Sequence, residues 1–253
     1  MNVVRLTVTL ESPNTISVPV NYGYLLSSLI YSNLPRNSSF VHDTGFTYEK
    51  RKFKLFTFSR LRGEYLLNNN MEIVFNGKLN FVFSTAVDDI VNDFARSIIG
   101  KESVRLGNTD LKVSSVYVHN DPEFGDEILL RTISPITIYS TLLTSDGKKK
   151  TYYFSPYERE FSSLIDKNLR KKYFALHKEE IQSDTVELTP IGRQKEVIAN
   201  FKETIIKGWL GVYRMKGNHE LLKLAYDVGI GGKNSEGFGC FELINEVKNV
   251  NRA

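Results

Sequence analysis

The residues best suited to chemistry lie near the end of the chain, in a glycine-rich segment that spans residues 227–243. Five glycines occur in the eleven residues from Gly229 to Gly239, and Lys233, Asn234 and Ser235 interrupt them. Glycine lets a backbone approach a ligand closely, while cationic and hydroxyl side chains can bind an oxyanion. The composition of residues 229–239, named the glycine-rich loop below, predicts an anion-binding loop. The alternative is a flexible connection between a helix and a strand, although such a connection rarely needs five glycines.

Two common glycine motifs do not fit this segment. The dinucleotide fingerprint and the P-loop both follow a strand and precede a helix, whose N-terminus binds the phosphate. Here the order is reversed, because Leu221, Leu224 and Val228 recur at helical spacing before the glycines. After the glycines, Phe238 and Cys240 alternate with their neighbours as in a strand. The sequence therefore argues against a nucleotide, and we expect no cofactor.

Positive charge is concentrated in a few segments of this 253-residue chain, whose formal net charge is +4. Residues 50–62 contain six basic residues and no acidic one, and further basic clusters occupy residues 148–150 and 167–172. Such clusters can follow a phosphate backbone. They are also compatible with ordinary solvated surface charge, above all at residues 148–150, which we expect at the tip of a hairpin.

Metal chemistry has little support in the sequence. Cys240 is the one cysteine of the chain, which excludes an internal disulfide and a cysteine-based zinc site. Its place in an alternating segment predicts packing rather than a reactive thiol, and the four histidines are scattered. No apolar run of about 18 residues occurs, and the first ten residues alternate like a strand rather than a signal peptide. We therefore expect a cytoplasmic protein.

The segment Gly-Ile-Gly-Gly-Lys-Asn-Ser-Glu-Gly-Phe-Gly, residues 229–239, resembles the C-terminal glycine-rich loop of the Cas-six family. These are the CRISPR-associated endoribonucleases that cut precursor CRISPR RNA within its repeats. The resemblance extends to residues 21–31, His42, residues 54–59 and residues 130–136, so it spans nearly the whole chain. It implies a metal-independent endoribonuclease that binds CRISPR repeat RNA. Subunits of a CRISPR effector complex and a second copy of the chain, in a homodimer, are further partners to consider.

The same resemblance implies a catalytic set of Tyr31, His42 and Lys54, since archaeal-type members carry a tyrosine, a histidine and a lysine at these places. Attack of an RNA 2′-hydroxyl on the adjacent phosphate needs a base, an acid and positive charge for the phosphorane. Histidine can give or take a proton at neutral pH, and lysine can stabilise the phosphorane. Tyrosine can position the ribose or the phosphate. The expected products are 2′,3′-cyclic phosphate and 5′-hydroxyl ends.

Lys52 competes with Lys54 for the catalytic role, because alternate positions of a strand share one face. Lys54 is preferred, since it directly precedes Leu-Phe-Thr-Phe-Ser, where the lysine of the family stands. The remaining expected contacts of the RNA are basic residues near this segment and members of the glycine-rich loop. The predicted RNA-binding set comprises Lys52, Arg60, Gly231, Gly232, Lys233, Asn234, Ser235, Gly237, Phe238 and Gly239.

The elements that must position these residues can be predicted from periodicity. In the first half, alternation predicts a strand over residues 3–10, and helical spacing predicts helices over 22–34 and 87–99. An aromatic-rich strand is predicted over 52–59, a hairpin of strands 71–75 and 78–84 about Asn76-Gly77, and one extended strand over 103–118. The order strand, helix, strand, strand, helix, strand is that of a ferredoxin-like, RRM-type domain.

The turn cluster at residues 120–126 predicts a boundary between an N-terminal domain, 1–120, with the catalytic residues, and a C-terminal domain, 121–253, with the glycine-rich loop. In the second domain the predicted order is a strand, a hairpin, a helix after Pro156, strands at 184–188, 194–201 and 204–213, a helix over 219–228 and a last strand. We therefore predict an α+β fold of two tandem ferredoxin-like (RRM-type) domains, which the resemblance also implies.

Two other functions stay open at this point. A non-catalytic RNA-binding subunit of a CRISPR effector complex would use the same fold, but the presence of Tyr31, His42 and Lys54 together favours an enzyme. A ferredoxin-like module for a small anionic ligand is the more remote alternative, and it would show no salt-dependent affinity for RNA.

Overall fold

The computed structural model describes residues 5–34, 45–143, 146–182 and 184–244. Within them the chain forms two larger antiparallel sheets, each packed with two α-helices, together with three smaller sheets. None of the described helices is long and apolar enough to cross a membrane.

The N-terminal half is built on a five-stranded sheet. Its elements in chain order are β1 (Arg5–Glu11), β2 (Ile16–Pro19), α1 (Gly23–Ser32), β3 (Phe46–Tyr48), β4 (Arg51–Phe53), β5 (Phe56–Phe58), β6 (Tyr65–Leu67), β7 (Glu72–Phe75), β8 (Lys78–Thr85), α2 (Asp88–Ile99), β9 (Val104–Leu106) and β10 (Thr109–Val118). The order across the main sheet is β5-β8-β1-β10-β9. Leu6, Val8 and Leu10 are buried, so the alternating face of β1 forms one core with the apolar residues of α1 and α2.

The C-terminal half repeats this architecture with a four-stranded sheet. Its elements are β11 (Glu127–Thr132), β12 (Tyr139–Leu143), β13 (Lys149–Tyr153), α3 (Arg159–His177), β14 (Glu187–Phe201), β15 (Thr204–Lys216), α4 (His219–Val228) and β16 (Phe241–Leu243). The sheet order is β14-β15-β11-β16, and β12 pairs with β13 in a separate hairpin, as predicted. In the main sheets, β1 lies between β8 and β10, and β11 lies between β15 and β16. This is the ferredoxin-like order, in which the first strand of the repeat lies between its third and fourth strands. The predicted fold class is confirmed, whereas the boundary after residue 120 stays a prediction.

The strand predicted over residues 52–59 is wrong, because β4 ends at Phe53 and β5 begins at Phe56. Leu55 adopts a left-handed backbone conformation (φ 52°) and is buried in a cluster with Leu224 and Val228 of α4. A packing contact with a distant helix therefore turns the chain out of the strand. Lys54 lies in this break.

Three further strand predictions need correction. The hairpin about Asn76-Gly77 is not formed, because β8 already pairs with β1 and β5 on its two edges, and β7 pairs with β2 and β6 instead. Residues 103–118 form a hairpin of β9 and β10 rather than one strand, with Gly107 (φ +63°) in the turn. In the second half, the two strands predicted over 184–188 and 194–201 are one strand, β14, whose register with β15 shifts between Ile191 and Lys195.

A buried arginine joins the two halves. Arg5 of β1 is 2% exposed, and its guanidinium donates to the carbonyl oxygens of Phe241 (2.7 Å) and Tyr226 (2.5 Å) and to the Ser84 hydroxyl (3.3 Å). It also stacks on the Tyr226 ring, 3.4 Å from the ring centroid. A buried cation is stable only with such partners. Arg5 therefore fixes the first strand of the N-terminal half against α4 and the last strand of the C-terminal half.

Replacing Arg5 with methionine should destabilise the protein, because methionine keeps much of the aliphatic volume but removes the guanidinium donors of two buried carbonyl oxygens. The Tyr226 oxygen then keeps only the longer bond from the Ser84 hydroxyl, at 3.3 Å. We expect Arg5→Met to lower the free energy of unfolding by about 3 kcal/mol, measured by urea denaturation. Arg105→Met is the control, since Arg105 pairs with Asp110 at the exposed surface and its loss should change little. Equal stability of the two variants would contradict the role assigned to Arg5.

Candidate active site

A cavity of about 390 Å³ lies between the two halves of the chain, and we name it the interdomain cleft. Residues 51–56 form its wall on the N-terminal side. The wall on the C-terminal side comes from residues 138–139, from Asn168 and Lys172 of α3, from Val228 and from residues 231–236 of the glycine-rich loop. The break between β4 and β5 therefore faces the glycine-rich loop.

The interdomain cleft is strongly cationic. Among the residues that the structure describes, the cleft is lined by one carboxylate, that of Glu236, and by the basic side chains of Arg51, Lys52, Lys54, Lys172 and Lys233. Glu236 is paired with Lys233, whose ammonium nitrogen lies 3.0 Å from the carboxylate. An excess of positive charge in a partly enclosed cleft attracts phosphate groups.

Tyr31 lies in the last turn of α1 and contacts the glycine-rich loop. Its ring packs edge-on against Phe56, with the ring centroids 5.5 Å apart. Burial raises the pKa of Tyr31, a hydrogen bond with the Ser235 side chain opposes that shift, and the nearby Glu236 carboxylate adds to it. The phenol therefore stays protonated at neutral pH, so it can donate a hydrogen bond but is a poor base.

A second contact from α1 reinforces this placement. Ser27 precedes Tyr31 by four residues, so the two side chains share one face of the helix. The Ser27 hydroxyl donates to the carbonyl oxygen of Ser235 at 3.2 Å. Helix α1 therefore contacts both the side chain and the backbone carbonyl group of Ser235, a residue that lines the interdomain cleft.

Lys52 and Lys54 both line the interdomain cleft. Lys52 is exposed on β4, where it lies opposite Thr47 of β3, whereas Lys54 is half-buried in the break before β5. The break removes the strict alternation that the sequence argument used to place the two lysines on one face. Partial burial strengthens the interaction of a charge with an anion, which favours Lys54 for the catalytic role.

The third member of the predicted catalytic set, His42, lies outside the described residues. Tyr31 and Lys54 are thus the two members whose positions are described. Lys54 lines the interdomain cleft, and Tyr31 contacts Phe56 and Ser235, which line the same cleft.

Polar contacts shape the glycine-rich loop from inside. The amide nitrogen of the Asn234 side chain donates to the carbonyl oxygens of Ile230 (3.2 Å) and Phe238 (2.9 Å). Its oxygen accepts from the Lys172 ammonium at 2.8 Å. Gly231 and Gly239 have φ of +74° and +78°, and a side chain at either would collide with a backbone carbonyl group. These glycines are required by the packing of the loop itself.

The predicted RNA-binding residues are distributed over two cavities. The interdomain cleft is lined by Lys52, Gly231, Gly232, Lys233, Asn234 and Ser235, of which Asn234 is 9% exposed and bonded inside the loop. Arg60, Gly237 and Phe238 line a second cavity of about 230 Å³, which the start of α1 and the β14–β15 hairpin complete. Gly239 is buried beside the backbone of Ile230 and lines neither cavity.

The sequence analysis did not single out Lys172 as a residue of the site, because it treated residues 167–172 together as one basic cluster. A signal was present in the spacing of the helix. Phe161, Ile165 and Leu169 are the buried residues of one face of α3, and Lys172 occupies the next position on that face. A lysine in line with buried residues indicates a buried charge, which needs acceptors.

The remaining candidates for metal or thiol chemistry lie apart. Cys240 is buried in a small cluster with Val82 and Ile133, which confirms its predicted packing, although β16 begins one residue later. Across the part of the chain that the structure describes, no group of three or more His, Cys, Asp or Glu residues is placed to hold a metal ion.

Comparisons with known proteins identify the family of this chain and its fold. The family model for the N-terminal part of the CRISPR-associated protein Cas6 matches residues 17–117, and that for the C-terminal part of Cas6 matches residues 119–243. A solved structure described as the characterisation of a Cas6-related gene from Pyrococcus furiosus superposes with a TM-score of 0.84 at 21% identity, covering 96% of this chain and 99% of the other. This likeness confirms the fold.

Two curated relatives are similar in sequence over nearly the whole chain. CRISPR-associated endoribonuclease Cas6 1 of Methanocaldococcus jannaschii is 27% identical, over 98% of this chain and 96% of its own. CRISPR-associated endoribonuclease Cas6 of Pyrococcus furiosus is 31% identical, over 92% of this chain and 86% of its own. As the sequence resemblance predicted, this chain belongs to the Cas6 (Cas-six) family of CRISPR-associated endoribonucleases.

Proposed function

We propose that this chain binds CRISPR repeat RNA in the interdomain cleft and cuts precursor CRISPR RNA into guide RNAs. One observation carries the proposal: Lys54 and the glycine-rich loop line the same cationic cleft, and Tyr31 contacts that loop at Ser235. In a chain of an endoribonuclease family, a cleft of this charge is suited to the phosphates of an RNA strand.

The proposed reaction is a transesterification within the RNA. The 2′-oxygen attacks the adjacent phosphorus, and the bond from phosphorus to the 5′-oxygen breaks. The proton that the 2′-hydroxyl loses is balanced by the proton that the leaving 5′-oxygen gains, so the products are a 2′,3′-cyclic phosphate and a 5′-hydroxyl. His42 transfers one of these protons. Lys54 stabilises the added negative charge of the phosphorane, and Tyr31 donates a hydrogen bond to the ribose or the phosphate.

The other residues of the predicted set divide into two roles. Lys52, Lys233 and Ser235 present polar groups to the interdomain cleft, where they contact the phosphates on either side of the scissile bond. Arg60 holds a neighbouring part of the strand at the second cavity. Asn234, Phe238 and the glycines of the loop contribute through its shape, because they are buried or bonded within it.

The place of action and further partners follow from this substrate. Because precursor CRISPR RNA is a newly made transcript, the proposed location is the cytoplasm. Association with subunits of a CRISPR effector complex and formation of a homodimer stay predictions.

His42→Ala should bind repeat RNA as the unmodified protein does but cut it about 10²-fold more slowly, the usual contribution of a general acid or base. The measurement is a single-turnover assay with end-labelled repeat RNA, and His177→Ala, which removes an exposed histidine of α3, is the control. Unchanged cutting by His42→Ala would remove His42 from the mechanism. Binding without any cutting by the unmodified protein would favour the alternative, a non-catalytic RNA-binding subunit.

Lys54→Ala and Lys52→Ala separate the two lysines of the cleft. Loss of Lys54 should slow the single-turnover rate by about 10²-fold or more, because it removes a charge that acts on the phosphorane. Loss of Lys52 should weaken RNA binding and reduce the steepness of its salt dependence by about one counterion, with little effect on the rate at saturation. The opposite pattern would assign the catalytic role to Lys52.

Cutting should continue at the same rate in excess EDTA, because the proposed reaction uses the side chains of His42, Lys54 and Tyr31 and assigns no step to a metal ion. The same single-turnover assay measures this, with a magnesium-containing reaction as the reference. Activity that EDTA abolishes and magnesium restores would contradict the proposed mechanism.

A further inference from the structure

Lys172 of α3 is the most deeply buried cation of the candidate site. Its residue is 2% exposed, and its side chain extends from the helix to the inner side of the glycine-rich loop. The ammonium nitrogen lies 2.7 Å from the carbonyl oxygen of Gly229, 2.9 Å from that of Gly231 and 2.8 Å from the side-chain oxygen of Asn234. Three acceptors from three different loop residues thus converge on one nitrogen.

The number of acceptors matches the charged form of the side chain. An ammonium group has three N–H donors, one for each of these oxygens, whereas a neutral amine has two and turns a lone pair toward the third. The three acceptors are all uncharged, so the charge is balanced by dipoles alone. Burial lowers the pKa of Lys172 to about 7, which brings the change between the two forms close to neutral pH.

The contacts of Lys172 continue through the loop to the catalytic residues. Asn234, which accepts from Lys172, also donates to the carbonyl oxygens of Ile230 and Phe238 and so closes the loop on itself. The next residue, Ser235, is the one that Ser27 and Tyr31 contact. A change at the Lys172 nitrogen is therefore transmitted to the position of Ser235 by two consecutive loop residues.

We propose that Lys172 is a positioning residue, whose ammonium group draws two carbonyl oxygens and an amide oxygen inward and thereby holds the glycine-rich loop in the shape that binds RNA phosphate. The inference rests on the proposed function, since RNA is the anion considered. Under this proposal a residue of α3 sets the shape of a loop that lies some sixty positions later in the chain, through direct contacts such as the one between Lys172 and Asn234.

A bound phosphate should in turn stabilise the charged form of Lys172, which also lines the interdomain cleft. Within the described part of the chain, the other titratable and charged groups that line this cleft are Arg51, Lys52 and Lys54 from the β4–β5 segment, Lys233 and Glu236 from the loop, and Tyr139 from β12. Because RNA raises the pKa of a group that is about 7 in the free protein, affinity is highest and constant below about pH 7. It falls as the pH rises above that value.

The test measures RNA affinity rather than cutting, in a His42→Ala background that slows cleavage and removes the titration of that histidine. The probe is a fluorescein-labelled RNA of one CRISPR repeat from the organism's own array, at constant ionic strength from pH 6 to 9. We expect the parent to lose affinity by about eightfold between pH 6 and 9, close to the full tenfold that a shift of one pKa unit produces. Lys172→Met should bind about tenfold more weakly at pH 6.5 and lack this pH dependence.

Lys171→Met is the matched control, because it removes the same charge one position away on α3, where Lys171 faces the Tyr48 ring instead of the loop. This control should keep both the affinity and the pH dependence to within about threefold. If Lys172 merely filled volume, Lys172→Met would behave like Lys171→Met, and that result would overturn the inference. A parent that binds no repeat RNA at any pH would overturn the proposed function as well.

A second variant tests the inference even if Lys172→Met does not fold. Asn168 precedes Lys172 by one helical turn, lines the same cleft and is 8% exposed, and its side-chain oxygen has no hydrogen-bond partner among the described residues. Asn168→Asp keeps the shape but adds a carboxylate to the same cleft one helical turn from Lys172, and an added negative charge in this position should raise the pKa of Lys172. The fall in RNA affinity should then begin at a higher pH. An unchanged midpoint would overturn the inference.

Discussion

Two buried cations hold the C-terminal end of α4, and the position of the glycine-rich loop depends on them. Arg5, from the first strand of the N-terminal half, binds the carbonyl oxygen of Tyr226, while Lys172, from α3, binds that of Gly229. The last carbonyl groups of a helix lack partners within the helix and carry the negative end of its dipole, so cations are favoured there. The loop therefore begins at a point that one cation from each half fixes.

The candidate site is composite for the same reason. Tyr31 and Lys54 come from the N-terminal half and Ser235 from the C-terminal half, and the cleft between them exists only where the halves meet. The hydroxyl group of Thr57 donates to the carbonyl oxygen of Phe238 at 2.9 Å and adds a contact at the far end of the loop. Both ends of the loop are thus tied to the N-terminal half, and these ties hold the loop next to Tyr31.

Local sequence signals predicted the elements whose cause is local. The helical spacing of apolar residues predicted α1, α2 and α4 within a few residues, and the order of elements predicted the ferredoxin-like fold class, although not every strand or pairing. The break at Leu55 has a distant cause, because Leu55 packs on Leu224, and no pattern around residue 55 contains that information. The same holds for Lys172, whose acceptors lie about sixty positions along the chain. The candidate site was predictable as a set of residue types but not as a set of contacts.

The glycines of the loop are required by the packing of its own backbone, whereas their number suggested close approach of a bound anion. Gly231 and Gly239 are needed because their backbones have positive φ and pass against carbonyl groups of Thr137 and Ile230, a requirement that a purely structural loop would share. What makes the loop suited to an anion is the surrounding charge, from Lys52 and Lys54 on one wall and Lys172 behind the other. The orientation of the Gly229 and Gly231 carbonyl groups toward Lys172 supports this, because it keeps the negative ends of those peptide dipoles away from an anion in the cleft.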